Sequence, residues 1–212
     1  MRKALVGAAL LAFLFPLLLN ATHILKNDLL KQEAVKLIDT MGMELYEKTS
    51  VNVYLIATNE HFPERYNLVM YSKKYEAKLS KPYVLFVFAP YATITKKSKA
   101  RGRVGIIPSS ETVRSLYDYD SVRDAGIDVI AVKDSNTVED KYNIGMLQAY
   151  SELCDNIAKS KGLKLESTIP DEMGTMVFVL RVFVYTGTLL LLWMFVLRPL
   201  YIRYKGRKNG KY

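Results

Sequence analysis

Two long apolar stretches lie near the ends of the chain and enclose a segment with shorter hydrophobic patterns. Residues 176–197 are almost wholly apolar, and residues 4–19 form a slightly shorter apolar run behind Met-Arg-Lys. At ~1.5 Å per residue, a helix over residues 176–197 spans the ~30 Å hydrocarbon core of a bilayer. The basic residues in front of residues 4–19 are typical of a secretory signal. We therefore predict a transmembrane helix over residues 176–197 and a membrane-directing segment over residues 1–21.

The N-terminal segment has two interpretations, a signal anchor that is kept and a signal peptide that is cleaved. Cleavage favours small residues three positions and one position before the cut. A cut after Ala21 places Leu19 at the earlier of these positions, where a small residue is preferred. This pattern favours the uncleaved anchor.

Between the two stretches, the hydrophobic pattern predicts one α/β domain over residues 22–163. Apolar positions at helical spacing and apolar β-branched runs predict helices and strands in a mixed order. That order is helix 24–47, strand 51–57, helix 63–79, strand 83–90, strand 101–108 and helix 138–161. We expect a three-layer α/β sandwich around a small mixed sheet, in which the last two strands pair as a hairpin.

The remaining parts of the middle segment are less regular in pattern. Residues 111–126 look short-helical, and residues 127–132 fit either a strand or a helix. Residues 164–175 then form a tether that leads into the membrane helix. The chain thus divides into signal segment, domain, tether, membrane helix and a basic tail over residues 198–212.

The positions of the charges change the meaning of the overall composition. The 212-residue chain is 50% hydrophobic and has a net charge of +9 from 30 basic and 21 acidic side chains. Residues 22–175 contain 21 basic and 21 acidic side chains, so the excess lies wholly in the two ends. Positive residues beside a membrane span stay cytoplasmic. We predict an inner-membrane protein whose domain is periplasmic. Both termini are then cytoplasmic, if the first segment is uncleaved. The basic tail is expected to contact anionic lipid rather than nucleic acid.

Arg181 is the charged residue within the apolar stretch 176–197. It lies within two turns of the start of the stretch, where a long side chain can reach the headgroups. The alternative is that Arg181 pairs with an acidic group on a helix of a membrane partner.

The counts of cysteine and histidine restrict the chemistry of the domain. One cysteine, Cys154, excludes an internal disulfide framework, and two histidines leave little material for a histidine metal centre. Cys154 falls near the apolar stripe of the last predicted helix, where a thiol acts as a small hydrophobe.

The densest acidic set is a candidate site for calcium or magnesium. Asp118, Asp120 and Asp124 lie close together, and hard cations bind several carboxylate oxygens. Basic residues such as Arg123 alternate with these acids, so a solvated surface with ion pairs is the alternative.

A second candidate is an anion site made of Arg101, Arg103 and Ser110. Ser110 precedes a short predicted helix, whose N-terminus would accept a phosphate group. The alternative is that Ser110 only caps this helix, with Glu111 near the capping-box position. No histidine, aspartate or cysteine set for catalysis accompanies these residues, so enzymatic activity is the less favoured expectation.

Four stretches of the chain resemble a known family. They are VNVYLIA, YVLFVFAP, RGRVGIIPSSETV and YNIGMLQAYSELCDNIAKSKG. Together with the order of elements over residues 28–162, they are similar to the TPM domain family, which includes plant thylakoid-lumen proteins, the worm levamisole-receptor modulator and bacterial membrane-anchored proteins. The chain differs at the hairpin, where Gly105-Ile106-Ile107-Pro108 replaces a Gly-x-Gly-Leu-Glu-like turn.

The resemblance implies two functions. TPM-type proteins are associated with the assembly of membrane complexes, and some members with phosphatase activity or divalent-ion binding. We therefore expect a membrane-anchored accessory or scaffold domain that helps to assemble or maintain a membrane protein complex. The alternative is a metal-dependent phosphatase that acts on phosphomonoesters.

Overall fold

A four-stranded mixed sheet forms the centre of the domain. The computed structural model describes residues 23–97, 100–131, 135–170 and 172–201. The strands lie in the order β1 (Ile24–Asn27), β2 (Asn52–Ala57), β3 (Tyr83–Thr95) and β4 (Ala100–Pro108). The first three strands are parallel, and β4 pairs with β3 as an antiparallel hairpin. The predicted α/β class, mixed sheet and hairpin are confirmed.

Both faces of the two central strands are buried. Every residue of β2 is buried, as are the first eight residues of β3. These strands are nearly continuous apolar runs, the pattern of strands that are covered on both faces. Because successive side chains alternate between faces, each strand contributes to two separate cores.

One face of the sheet is covered by two long helices, α1 (Gln32–Thr49) and α5 (Val138–Ser160). Apolar positions on these helices are fully buried against alternate side chains of β2 and β3. The buried set includes Ile38, Met41, Leu45, Met146, Tyr150, Leu153 and Ile157. The amphipathic spacing of the last predicted helix is thus confirmed over residues 138–160.

The opposite face is covered by the irregular segment between β2 and β3. This segment contains only a short helix, α2 (Leu68–Ser72), and a 3₁₀ turn over Lys73–Lys78. Phe62, Leu68 and Tyr71 pack there on the other side chains of the central strands. The predicted helix over residues 63–79 is wrong in extent, because Asn67, not Pro63, caps the helix through its side-chain oxygen.

The chain before α1 is a strand and not part of a helix. Residues 24–27 pair with β2, so the prediction of a helix over 24–47 is wrong at its start. The Asn27 side chain accepts hydrogen bonds from the amides of Leu29 and Leu30 and turns the chain. The side-chain oxygen of Asn143, in α5, then accepts a hydrogen bond of 2.8 Å from the amide of Lys31, which is the N-cap residue of α1.

Two helices connect β4 to α5. They are α3 (Glu111–Arg114) and α4 (Tyr119–Ala131), and the ambiguous residues 127–131 belong to α4. Gly126 of α4 and Gly145 of α5 lie at the contact between these helices, where an added Cβ would meet atoms of the other helix at about 3 Å. The two small residues therefore allow a close approach of the helices.

Residues after α5 pack on the domain before the chain reaches its C-terminal helix. Leu165 is buried, and Glu44 of α1 accepts hydrogen bonds from the amides of Glu166 and Ser167, both at 2.8 Å. Burial alone would raise the pKa of Glu44, but hydrogen bonds led by Lys48 and Ser167 lower it to about 2. Residues 164–169, at the start of the predicted tether, thus lie on the domain surface, and the domain unit ends at Ile169.

The C-terminal unit contains a long apolar helix, α6 (Glu172–Leu192), which continues through a π-helical stretch over Trp193–Leu197. Its segment Val182–Tyr201 is long and apolar enough to cross a membrane, and none of that segment is buried within the protein. This helix is compatible with the predicted membrane anchor. The predicted signal segment and the tail from residue 202 lie outside the described residues.

The close contact between α1 and the start of β1 leads to a stability prediction. A Cβ on Gly42 would lie 2.5 Å from Cγ of His23 and 2.7 Å from the Tyr150 hydroxyl oxygen. Both neighbours are buried, so Gly42→Ala should lower the free energy of unfolding by roughly 1–3 kcal/mol. Thermal unfolding of the full chain in detergent measures this, with the exposed α1 variant Lys36→Ala as control. Equal melting temperatures for wild type and Gly42→Ala would contradict the packing.

Buried His23 predicts a pH dependence of stability. Burial lowers its pKa below the ordinary 6.5, although a hydrogen bond between Nδ1 and the Val53 carbonyl, 3.1 Å apart, opposes this shift. The unfolded state therefore binds the proton first. The stabilisation is complete above pH 6.5 and is lost as the pH falls toward the folded pKa, by up to ~1.4 kcal/mol per pH unit. Denaturant unfolding between pH 7.5 and 5.5 should show this slope in wild type but not in His23→Gln.

Candidate functional site

The acidic candidates for a metal site lie at the start of α4. Asp118 accepts the amides of Asp120 and Ser121 through Oδ1 and so caps the helix. Asp120 and Asp124 lie on either side of Arg123, each with an oxygen 2.8 Å from the guanidinium. In the four described ranges, no group of three or more His, Cys, Asp or Glu side chains is placed to hold a metal ion. These contacts match the alternative interpretation, in which the acidic residues form a solvated surface with ion pairs.

Of the predicted anion site, Arg101 and Arg103 line one cavity, and Ser110 does not. Ser110 caps α3 by accepting the amide of Val113 at 3.3 Å, which is the alternative role considered for it. Arg101 and Arg103 lie on β4 and line a different place, a groove between the hairpin and α4. No contact in the described residues specifically favours the phosphatase hypothesis.

This groove has a volume of about 540 Å³ and combines an apolar floor with three arginines. Arg123 of α4 joins the two arginines of β4 at its rim. The apolar lining comes from strand and helix residues, namely Phe88, Pro90, Ile94, Val104, Ile127, Ile130 and Ala131, with Tyr119 and Tyr142. A concave apolar surface with a few polar groups is the usual form of a binding site.

The groove has partly exposed apolar side chains on its walls. Ile94 and Ile127 are each 46% exposed on its walls. Tyr142 packs edge-on against Phe88 at 5.8 Å and against Tyr91 at 5.9 Å between ring centroids. Arg103 directs its guanidinium to the α2 side of the sheet, where Nη1 donates to the Tyr66 carbonyl at 2.6 Å. The shape of the groove is therefore preformed by the packed aromatic rings.

A second charged cluster lies at the carboxyl ends of β1 and β2. Lys26 Nζ lies 2.9 Å from Asp28 Oδ2 and 2.6 Å from Glu60 Oε1, and it donates to the Thr58 hydroxyl at 3.0 Å. The Tyr71 hydroxyl also donates to Glu60 Oε1 at 2.6 Å. Open α/β sheets often bind ligands outside the carboxyl ends of their strands. Here the ammonium group of Lys26 fills that position.

The cluster is electrostatically self-contained. Burial opposes ionisation of Asp28 and of Glu60, but hydrogen bonds led by Lys26 lower the pKa of both carboxyl groups. Burial likewise opposes the charge of Lys26, while the two carboxylates raise its pKa above the ordinary value. The sequence analysis missed this cluster because Lys26 and Glu60 are 34 residues apart and become neighbours only through the β1–β2 register. The one available signal was the polar run Thr58-Asn59-Glu60 directly after a buried strand.

Two further sequence candidates can be placed. Cys154 is fully buried in α5, and burial raises the pKa of its thiol, as suits the predicted packing role. Arg181 falls within α6, and its side chain lies outside the described residues. Pairing of Arg181 with a membrane partner stays a prediction.

Comparison of the chain with models of known protein families and with curated proteins gives no match in either case. The resemblance to the TPM domain family therefore stays a prediction. The functional argument rests on the geometry of the groove and on the apolar helix.

The Lys26 cluster predicts a specific effect on stability. Lys26→Met removes the cation that Asp28 and Glu60 share and leaves only the more distant Lys74 beside Glu60. We expect the free energy of unfolding to fall by roughly 1–3 kcal/mol at pH 7. The carboxyl pKa values then rise, so the loss relative to wild type should shrink as the pH falls toward 4. Urea unfolding of the full chain in detergent at both pH values measures this.

Lys74→Met is the matched control, because Lys74 is 50% exposed and lies 3.8 Å from Glu60. We expect it to cost less than about 0.5 kcal/mol. A loss for Lys26→Met that is equally small, or that stays constant with pH, would contradict the proposed role of the ammonium group.

Proposed function

We propose that this protein is a membrane-anchored accessory domain that binds a partner in a membrane protein complex. The observation that carries the proposal is the groove beside α4, which combines exposed isoleucines with arginines on a preformed wall. Apolar cores with arginine and aromatic residues are enriched at protein interfaces. The apolar helix Val182–Tyr201 supports a location at a membrane.

The charge distribution supports a periplasmic domain facing other membrane proteins. The neutral segment of residues 22–175 lies between two positive ends, which favours an extracytoplasmic domain with cytoplasmic ends. A domain kept at the bilayer meets its partners at high local concentration, so a groove of moderate size suffices for a useful interaction. Accessory or scaffold action needs such a binding surface and no catalytic group.

The test compares two full-length variants in a pull-down from membranes solubilised in mild detergent. Ile127→Glu places a charge on the groove wall, whereas Leu37→Glu places one on α1, where Leu37 is similarly exposed at 44%. The glutamate would put a charge into the apolar part of the interface, and it would compete with the partner for the arginines of the groove. We therefore expect Ile127→Glu to reduce recovery of the wild-type partner proteins by about tenfold or more.

Quantitative mass spectrometry of the recovered proteins gives the readout. Leu37→Glu should recover the same partners as wild type. Recovery of the wild-type protein alone, or equal recovery by both variants, would contradict the proposed function.

A further inference from the structure

Three cavities have lining residues on β4. The groove of about 540 Å³ lies beside residues 101–104, and a second cavity of about 410 Å³ lies beside residues 103–107. A third, of about 200 Å³, lies beside residues 107–109. Residues 101–109 of β4 and its end therefore border open space on one face of the sheet or the other.

The register of the hairpin shows which backbone groups of β4 face this space. The amide of Ser109 donates to the Tyr83 carbonyl at 2.9 Å, and antiparallel pairs alternate between bonded and non-bonded positions. Val104, Ile106 and Pro108 therefore direct their backbone groups away from β3. Proline lacks an N–H group and is tolerated in a strand where that group would face outward. The position of Pro108 agrees with this register.

Among the described residues, no strand pairs with the outward groups of β4. β4 is the last strand in the sheet order. Within the described residues, no backbone hydrogen bond from another element reaches Val104 or Ile106 on the outer side. A row of unpaired N–H and C=O groups at a sheet edge is a template for an added strand.

The charges along this edge select the type of strand that can be added. The three cavities are lined by six basic side chains and one acidic side chain, Glu76. The basic set is Arg65, Lys73, Lys81, Arg101, Arg103 and Arg123, of which Arg123 is already paired with two aspartates. A second copy of this chain paired through β4 would bring like charges together. An acidic segment would neutralise them.

The two faces of the edge differ in chemistry. Arg103 lies on the face of α2, where it bonds to the Tyr66 carbonyl. Val104 and Ile106 pack on the opposite face with the core under the long helices, and Tyr119 stands beside them. Because side chains alternate along a strand, an incoming segment with alternating acidic and apolar residues would match both faces.

We propose that β4 binds an extended, acidic–apolar segment of a partner membrane protein as a fifth strand of the sheet. This inference rests on the proposed function and names the binding mode of the same surface. Backbone hydrogen bonds to Val104 and Ile106 supply the register, the arginines select acidic side chains, and the apolar groove accepts the alternate residues.

The test uses the full-length protein in mild detergent and a synthetic peptide of alternating glutamate and valine. A length of about seven residues, at ~3.4 Å per residue, covers the cavities. Peptide binding is measured by fluorescence polarisation with wild type, Val104→Pro and Val104→Thr. Val104→Pro removes one outward N–H group, whereas Val104→Thr keeps both the shape and this group. We expect about tenfold weaker binding for Val104→Pro and nearly unchanged binding for Val104→Thr.

Two measurements on the wild-type protein are independent of the folding of any variant. A peptide that is N-methylated at alternate residues should lose binding, and a lysine–valine peptide should not bind. Hydrogen–deuterium exchange should show fast exchange at Val104 and Ile106 in the free protein and slow exchange with the peptide. The amide of Gly105, which faces β3, should be protected in both states.

Each alternative result overturns the proposal in a distinct way. Absent peptide binding, or amides of Val104 and Ile106 that are already protected in the free protein, shows that the edge does not accept a strand. Binding that tolerates N-methylation shows side-chain attraction without strand addition. A dimer of wild type that Val104→Pro abolishes identifies a second copy as the occupant. A positive pull-down with any of these results leaves the proposed function standing and removes only the binding mode.

Discussion

The need to cover both faces of β2 and β3 governs the structure of the domain. These strands are so apolar that each exposed face would cost several kcal/mol of hydrophobic free energy, and every residue of β2 is in fact buried. One face receives α1 and α5, whose stripes supply large side chains such as Ile38 and Tyr150. The other receives an irregular segment held by aromatic residues such as Phe62 and Tyr71. A further strand can then be added only at an edge of the sheet, and β4 forms one of the edges.

The carboxyl ends of β1 and β2 differ in electrostatic character from the edge strand β4. At the carboxyl ends of β1 and β2, Lys26 and Lys74 balance the charges of Asp28 and Glu60. Along β4, basic side chains outnumber acidic ones, and no strand of the described part of the chain lies beside the backbone groups of its outer side. Charged residues on an edge discourage pairing between identical chains. The same charges make this edge selective for a partner of opposite sign.

Several parts of this picture followed from the sequence, and particular residues show why others did not. Arg101 and Arg103 were selected as candidates and both line the groove, but their predicted companion Ser110 caps a helix instead. The spacing of two residues on a strand is a local feature, whereas the approach of Arg123 depends on how α4 packs beside the hairpin. Lys26 was assigned to a helix, since four residues of a short edge strand carry too little periodicity to be recognised. Its partnership with Glu60 exists only through the sheet register.

The sequence by itself determined the buried strands, the amphipathic long helices, the apolar C-terminal helix and the neutral charge of the segment before it. These properties depend on residues close together in the chain, whose hydrophobic period and charge can be read directly. Only the tertiary structure decided that residues 24–27 pair as a strand and that Lys26 lies between Asp28 and Glu60 at one end of the sheet. It also decided that β4 is the edge strand of the sheet formed by the described residues, with Arg101 and Arg103 on it. Each of these depends on contacts between residues far apart in the chain, which register and packing create and local pattern does not encode.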